Sequence, residues 1–425
     1  MILVVAIAIV LMVLGFEMFI VLGISTIAAK ELFFSSIPDL VLVQKLVGGI
    51  NHTTLLAIPF FVFAAHLMAS GQIARRLTGV VKSGVGHFRG GMGHTVVGGS
   101  MAFGSVSGSA PATVAALGRL MYPELRNAGY SEKFSLGLIV SSAETALLIP
   151  PSITLIIYGW MTGTSITGLF AGGLAVGLVL GLAFGALVVL ETYISDVKRI
   201  PRPSLKSVIS DIKSSAWALG MPVLILGGIY SGYFTATEAA AVSVVYAIVI
   251  EGLIYRELNF KKLVAVTENS AIATSVIFIL LAFGGVLSFF ITLAEVPALI
   301  GDWMDNVGGN PLLFLLIINV IFLIAGMFID PNSALLILVP PLYPVAIALG
   351  IDPIHFGIIV TLNICVGMIT PPFGLDIFVA SSTLNKPVMT IINGVWPFLV
   401  VNIIVLGLIT YIPGVSMFIP NLIAN

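Results

Sequence analysis

The stretch GSVSGSAPATVAALG (residues 104–118) sets three serines, three glycines, a threonine and a proline inside a chain that is 59% hydrophobic. Its reading decides the fold, because it is either a surface loop between membrane helices or an irregular segment inside the membrane. A surface loop carries charge, and this one has none before Arg119. Close packing of small residues accounts for the glycines. It does not account for the hydroxyls of Ser105, Ser107, Ser109 and Thr113 gathered around Pro111.

Composition settles the surroundings. Only 9% of the 425 residues are charged, against roughly a quarter in a soluble domain, so this chain lacks the charge to cover a water-facing surface. Apolar stretches of about 20 residues recur, enough to cross ~30 Å of hydrocarbon. They lack the alternation of a membrane β-barrel, so the fold class is an all-α integral membrane protein. The single Cys365 excludes an internal disulfide and a cysteine metal cluster. The apolar start, without a basic n-region or a small-residue cleavage site, reads as a retained first span over residues 2 to about 28. Residues 35–51, with Pro38, Asp39 and Lys45, read as interfacial, as do residues 255–269. A second span runs from Thr54 to about Ser70, and another covers residues 216–231.

Loop charges give sidedness. Residues 71–95 carry Arg75, Arg76, Lys82 and Arg89 and no acid, and residues 191–215 carry Lys198, Arg199, Arg202, Lys206 and Lys213. Both should be cytoplasmic, as should residues 255–262. Residues 295–311 carry Glu295, Asp302 and Asp305 with no Lys or Arg, and should face the other side.

An internal repeat runs at an offset of 221 residues, pairing Tyr122–Pro123 with Tyr343–Pro344, Pro150–Pro151 with Pro371–Pro372, and Gly129 with Gly350. The basic loop precedes the first copy and the acidic loop the second, which is an inverted-topology repeat. The expected division is repeat 1 over 1–190, a cytoplasmic linker with one extra span over 191–233, and repeat 2 over 234–425. The opening stretch then reads as the tip of a re-entrant helical hairpin over about 93–128. Each arm is about ten residues, some ~15 Å of helix, and the mouth lies on the cytoplasmic side. Its partner is a hairpin over about 311–350 with the tip DPNS, where Ser109 aligns with Asp330 and Pro111 with Asn332. A broken transmembrane helix follows each hairpin, over about 134–160 and 355–380, interrupted by the double prolines.

The carbonyls freed at the breaks, residues 145–149 and 367–370, need water, protein or a cation. A hard cation such as Na+ suits backbone carbonyls with Ser, Thr and Asn oxygens, and the helix N-termini at the tips suit an anion. Asp330 reads as a cation ligand or as an N-cap, and Glu238 as a helix-start residue capped by Thr235 or Thr237. Glu144 could face a polar cavity or pair with Arg or Lys, and Asp376 reads as an interface contact. His52, His66, His87, His94 and His355 show no metal spacing, and no P-loop, nucleophile elbow or HExxH occurs. An intramembrane enzyme has only Glu144 and Asp330 to work with, so no enzyme activity is expected.

At GSVSGSAPATVAALG, SSAETALLIPPSI, GYFTATEAAA and TLNICVGMITPPFGLDIFV the chain resembles the large (DctM-type) membrane subunit of tripartite ATP-independent periplasmic (TRAP) transporters, over nearly its whole length. The resemblance implies an elevator-type secondary transporter of the bacterial inner membrane. It implies import of an organic acid such as a C4-dicarboxylate or sialic acid, driven by Na+. The implied partners are a small four-helix membrane subunit, here on a separate chain, and a periplasmic substrate-binding protein; nucleic acid is not expected. By motif, one Na+ would sit among Ser105, Ser107, Ser109, Thr145, Ile149 and Pro151, the other among Asp330, Asn332, Gly367 and Thr370. Substrate would lie near Ser109, Ala110, Pro111, Asn332 and Ser333. The alternative function is a stand-alone Na+/anion symporter of related architecture; a channel would need a continuous pore.

Overall fold

The computed structural model describes residues 2–424 except 70, 196, 199 and 200, so Met1, Ser70 and Arg199 of the sequence reading lie outside the described residues. Among the described residues, all regular structure is helical. The chain opens with α1 (Ile2–Val13), α2 (Met18–Phe33), α3 (Asp39–Ile50), α4 (Ala57–Ala69) and α5 (Ile73–Val85). Next come α6 (Gly91–Ser107), α7 (Ala110–Asn127), α8 (Glu132–Ala143), α9 (Ile153–Thr162) and α10 (Ile166–Ile194). The linker region holds α11 (Leu205–Ser214) and α12 (Ala216–Tyr230). The second half holds α13 (Ala236–Val249), α14 (Phe260–Leu293), α15 (Val296–Asn306), α16 (Pro311–Phe328) and α17 (Pro331–Ala348). It closes with α18 (Pro353–Ile369), α19 (Leu375–Leu384) and α20 (Val388–Tyr411), followed by two short helices. Among the described residues, six helices are long and apolar enough to cross a membrane, or up to eight spans if two bent pairs are each taken as one.

The repeat survives as elements. α7 and α17 begin and end 221 positions apart, as do the starts of α8 and α18. The contacts between the halves are reciprocal: α7 packs on α19 and α17 on α9, while α8 packs on α20 and α18 on α10. Glu132 at the start of the first broken span pairs with Lys386 just past the end of the second (2.7 Å). Near the other end of the first broken span, the Tyr158 hydroxyl donates to the Pro353 carbonyl at the start of the second (2.8 Å). Start meets end at both poles, so the broken spans run antiparallel, as an inverted repeat requires. The Glu132 carboxylate beside it, with Tyr122, holds the Lys386 ammonium above its usual lysine value.

Several expectations need correction. The first span is two helices, because Gly15 at φ +80° turns the chain between Val13 and Met18. Residues 255–269 are not a separate interfacial piece: Asn259 caps α14, and nothing breaks the following 34 residues. The hairpin arms are also longer than ten residues, with 17 in α6 and 18 in α7. α6 starts at glycines because it is packed inside protein; a Cβ on Gly93 would come within 2.5 Å of Val188 on α10. A helix buried in this way does not need an apolar sequence to form. The expected N-terminal start of α13 holds, with Thr235 and Glu238 forming a reciprocal capping box.

Candidate functional site between the hairpin tips

Each hairpin turns in two residues. At the first tip Gly108 takes φ +56°, and a Cβ there would come within 2.5 Å of the Pro151 carbonyl oxygen. Only glycine lets the tip approach the first break this closely. Ser109 then caps α7: its Oγ accepts from Ala112 N (3.4 Å), and its carbonyl accepts from Thr113 Oγ1 (2.8 Å). Ser107 Oγ lies 3.1 Å from Thr113 Oγ1. Pro111 sits in the first turn, where a missing N–H costs little.

At the second tip Asp330 caps α17. Its Oδ2 accepts from Asn332 N (3.1 Å) and Ser333 N (3.2 Å), and Ser333 Oγ donates to its Oδ1. The tips are therefore equivalent in backbone and different in charge. The first is a neutral cap on a helix N-terminus. The second neutralises its own helix N-terminus with a carboxylate, leaving net negative charge.

Both tips line one cavity of about 250 Å³. Ser107, Ser109 and Pro111 enter it from the first hairpin, and Asp330 and Asn332 from the second. Leu147 and Thr154 flank the first break, Met368 and Leu375 the second, and α4 and α14 close the far wall. The Asn332 Oδ1 atom is buried without a partner.

The remaining candidates lie behind this surface. Ser105 Oγ donates to the Ala102 carbonyl, Thr145 Oγ1 to Ser142 and Thr370 Oγ1 to Val366. Ala110, Ile149 and Ser333 are buried. Pro151 meets the first tip through its carbonyl, and Gly367 packs against Gly326 of α16. The breaks fall at the double prolines as expected, yet some carbonyls expected to be free are used locally. Thr145 O accepts from Leu148 N and Ile149 N, and Gly367 O accepts from Thr370 N. Short turns at the breaks re-use the backbone groups that proline releases from the helix.

Three features were missed or misread. His66 on α4 lines the cavity opposite the tips. The Ser270 hydroxyl donates to the Val266 carbonyl (2.7 Å), so it accepts from His66 Nδ1 (2.8 Å). The neutral ring then keeps Nε2 as an acceptor. An ionisable residue in the apolar run of α4 was the available signal. Glu144 does not line this cavity, and among the described residues it pairs with no Arg or Lys; it is buried and its Oε1 accepts from Asn402 Nδ2 (2.7 Å). Asp376 is not an interface contact, because it is wholly buried and neither carboxylate oxygen has a partner.

Two antiparallel broken helices and two facing hairpins around a midchain cavity define a membrane permease of the secondary-transporter type. The chain matches, over residues 5–415, the model of the family described as tripartite ATP-independent periplasmic transporter, DctM component. It belongs to that family, and it is a multi-pass protein of the bacterial inner membrane. It is 38% identical to the ectoine TRAP transporter large permease protein TeaC of Halomonas elongata, covering 97% of each chain. It is 39% identical to the C4-dicarboxylate TRAP transporter large permease protein DctM of Pseudomonas aeruginosa, covering 94% of this chain and 93% of the other. It is 38% identical to the sialic acid TRAP transporter large permease protein SiaM of Vibrio cholerae, covering 89% of each. These relatives are permease subunits, and the chain is a transporter component and not an enzyme. In fold it is similar to the YdaH transporter of Alcanivorax borkumensis, with a TM-score of 0.62 at 14% identity over 88% of this chain and 87% of that one.

Proposed function

We propose that this chain imports a small organic acid by Na+-coupled elevator movement. The moving body comprises the two hairpins and the two broken spans, carried against a frame that includes α4 and α14. The observation that carries this reading is the shared cavity, which Ser109 and Asp330, equivalent in the repeat, both line. Its volume is at the small end for ligand pockets, in keeping with a small acid. The related permeases are named for C4-dicarboxylates, sialic acid and ectoine, and these names support a small carboxylate as the substrate class.

The cation reading is supported by the donor set. Ser107, Ser109, Asp330 and the unpartnered Asn332 Oδ1 present hard oxygen atoms, the kind that alkali cations take. A bound cation would supply the positive charge that an anionic substrate needs beside Asp330. We take repeat 1 as residues 1–190 and repeat 2 as 234–425, with the linker between; the reciprocal contacts between the halves support this division. A small four-helix membrane subunit and a periplasmic binding protein complete the system. Membership in a tripartite family disfavours the stand-alone symporter.

Reconstitution tests the reading. Vesicles containing this chain, the small subunit and the binding protein are offered succinate, sialic acid and ectoine. Uptake of one of these only when all three proteins are present is the expected result; equal uptake by this chain alone would return the stand-alone symporter.

A further inference from the structure

A second group of buried oxygen atoms lies away from the tips. Glu144 sits on the turn after α8 and Asp376 in the first turn of α19, so one acid belongs to each break. Both are fully buried. Asn402 on α20, also fully buried, donates from its Nδ2 to Glu144 Oε1 at 2.7 Å. This arrangement leaves four oxygens buried without a hydrogen-bond partner: Glu144 Oε2, Asp376 Oδ1 and Oδ2, and Asn402 Oδ1. α19, which carries Asp376, packs against α20, which carries Asn402, and the turn that carries Glu144 packs against α18 just ahead of α19. The ion pairs among the described residues involve other acids.

Carboxylates this deep need a positive partner or a full set of donors. No group of three or more His, Cys, Asp or Glu is arranged to hold a metal among the described residues, so a thiolate or imidazole metal centre does not fit. Two carboxylates and an amide oxygen are the set that hard cations take. The Asn402 amide is already turned toward Glu144 by its donated bond, which keeps its free oxygen in the same buried region.

We propose that Glu144, Asp376 and Asn402 hold one hard cation, Na+ or a divalent ion such as Ca2+, between the two breaks and apart from the hairpin tips. The ion joins residues of both repeats and of α20, so it ties the two halves of the proposed moving body together. This site stands independently of the substrate reading.

The test is equilibrium binding of 22Na+ and of 45Ca2+ to the purified full chain after chelation and dialysis into choline buffer. The proteins compared are wild type, Glu144→Gln, Asp376→Asn and, as a control at the tips, Asp330→Asn. The wild type and Asp330→Asn should each retain one equivalent that Glu144→Gln and Asp376→Asn lose; the isotope that disappears identifies the ion. Equal binding of both ions by all four proteins overturns the site, as it would if the carboxyls simply carried protons. Should the neutral variants aggregate, the melting temperature of a Ser109→Ala, Asp330→Asn protein must still rise with Na+ or Ca2+. A melt indifferent to both cations overturns the proposal equally.

Discussion

The Cys365 thiol lies 3.7 Å from the backbone carbonyl of Glu144, and the two residues stand 221 positions apart in the chain. That spacing is the repeat offset, so each occupies the position of the other in its own half. Equivalent residues of an inverted pair meet only where their pseudo-two-fold axis passes. The axis therefore runs through the two breaks, deep in the protein. Cys365 is fully buried there, so it should resist membrane-permeant N-ethylmaleimide in the folded protein and react fully after denaturation in detergent. Rapid labelling of the native protein, followed by mass spectrometry, would show that the breaks are open to solvent.

The α8–α20 contact depends on two glycines. A Cβ on Gly137 would stand 2.0 Å from the Gly394 carbonyl oxygen, and a Cβ on Gly394 2.0 Å from that of Lys133. The obstructing atoms are backbone, so the helices must part. Overpacking of this kind costs about 1–3 kcal/mol. Gly137→Ala should lower the melting temperature in detergent by several degrees, and Gly137→Leu should prevent accumulation of folded protein.

Gly108 carries a different constraint. Its φ of +56° disfavours any side chain, at about 1–2 kcal/mol, and the Pro151 carbonyl blocks the space. Gly108→Ala should leave the fold intact, because the frame does not depend on the tip, and should reduce initial uptake at least tenfold. Unchanged uptake in vesicles with equal protein content would show that the tip tolerates displacement from the break.

Ser109 and Asp330 are equivalent caps of different charge, which separates structure from electrostatics. Asn caps a helix about as well as Asp, and loss of a cap costs about 0.5–2 kcal/mol. Asp330→Asn should therefore keep its melting temperature while the Na+ concentration for half-maximal uptake rises several-fold. Ser109→Ala should lower stability modestly and shift the Na+ requirement less. Equal shifts from both variants would contradict the charge difference between the tips.

Much of this architecture was legible because proline, glycine and charge act locally. Pro150–Pro151 and Pro371–Pro372 fall at the two breaks, although Pro340–Pro341 lie inside α17 without ending it, and the basic and acidic loops carry their sidedness in composition. Asp330 followed by Pro331 reads as a cap in any context. The arm lengths were not legible, since α6 is helical through packing against α10 and not through its own sequence. Thr145 and Thr370 were assigned toward a cation, and their hydroxyls turn back on the helix; i−4 and i−3 bonding competes everywhere with a distant ligand. His66 and Asn402 take their partners, Ser270 and Glu144, from helices far apart in the chain, and no window of sequence brings such pairs together.

The coupling ion is the centre of the account, and initial uptake under imposed gradients tests it most directly. Vesicles containing all three components are compared with an inward Na+ gradient, with Na+ equal on both sides, and with K+ replacing Na+. Saturable uptake that concentrates substrate only under the inward Na+ gradient, and that stops when the gradient is dissipated, is the predicted result. Accumulation at the same initial rate with K+ in place of Na+ would contradict it.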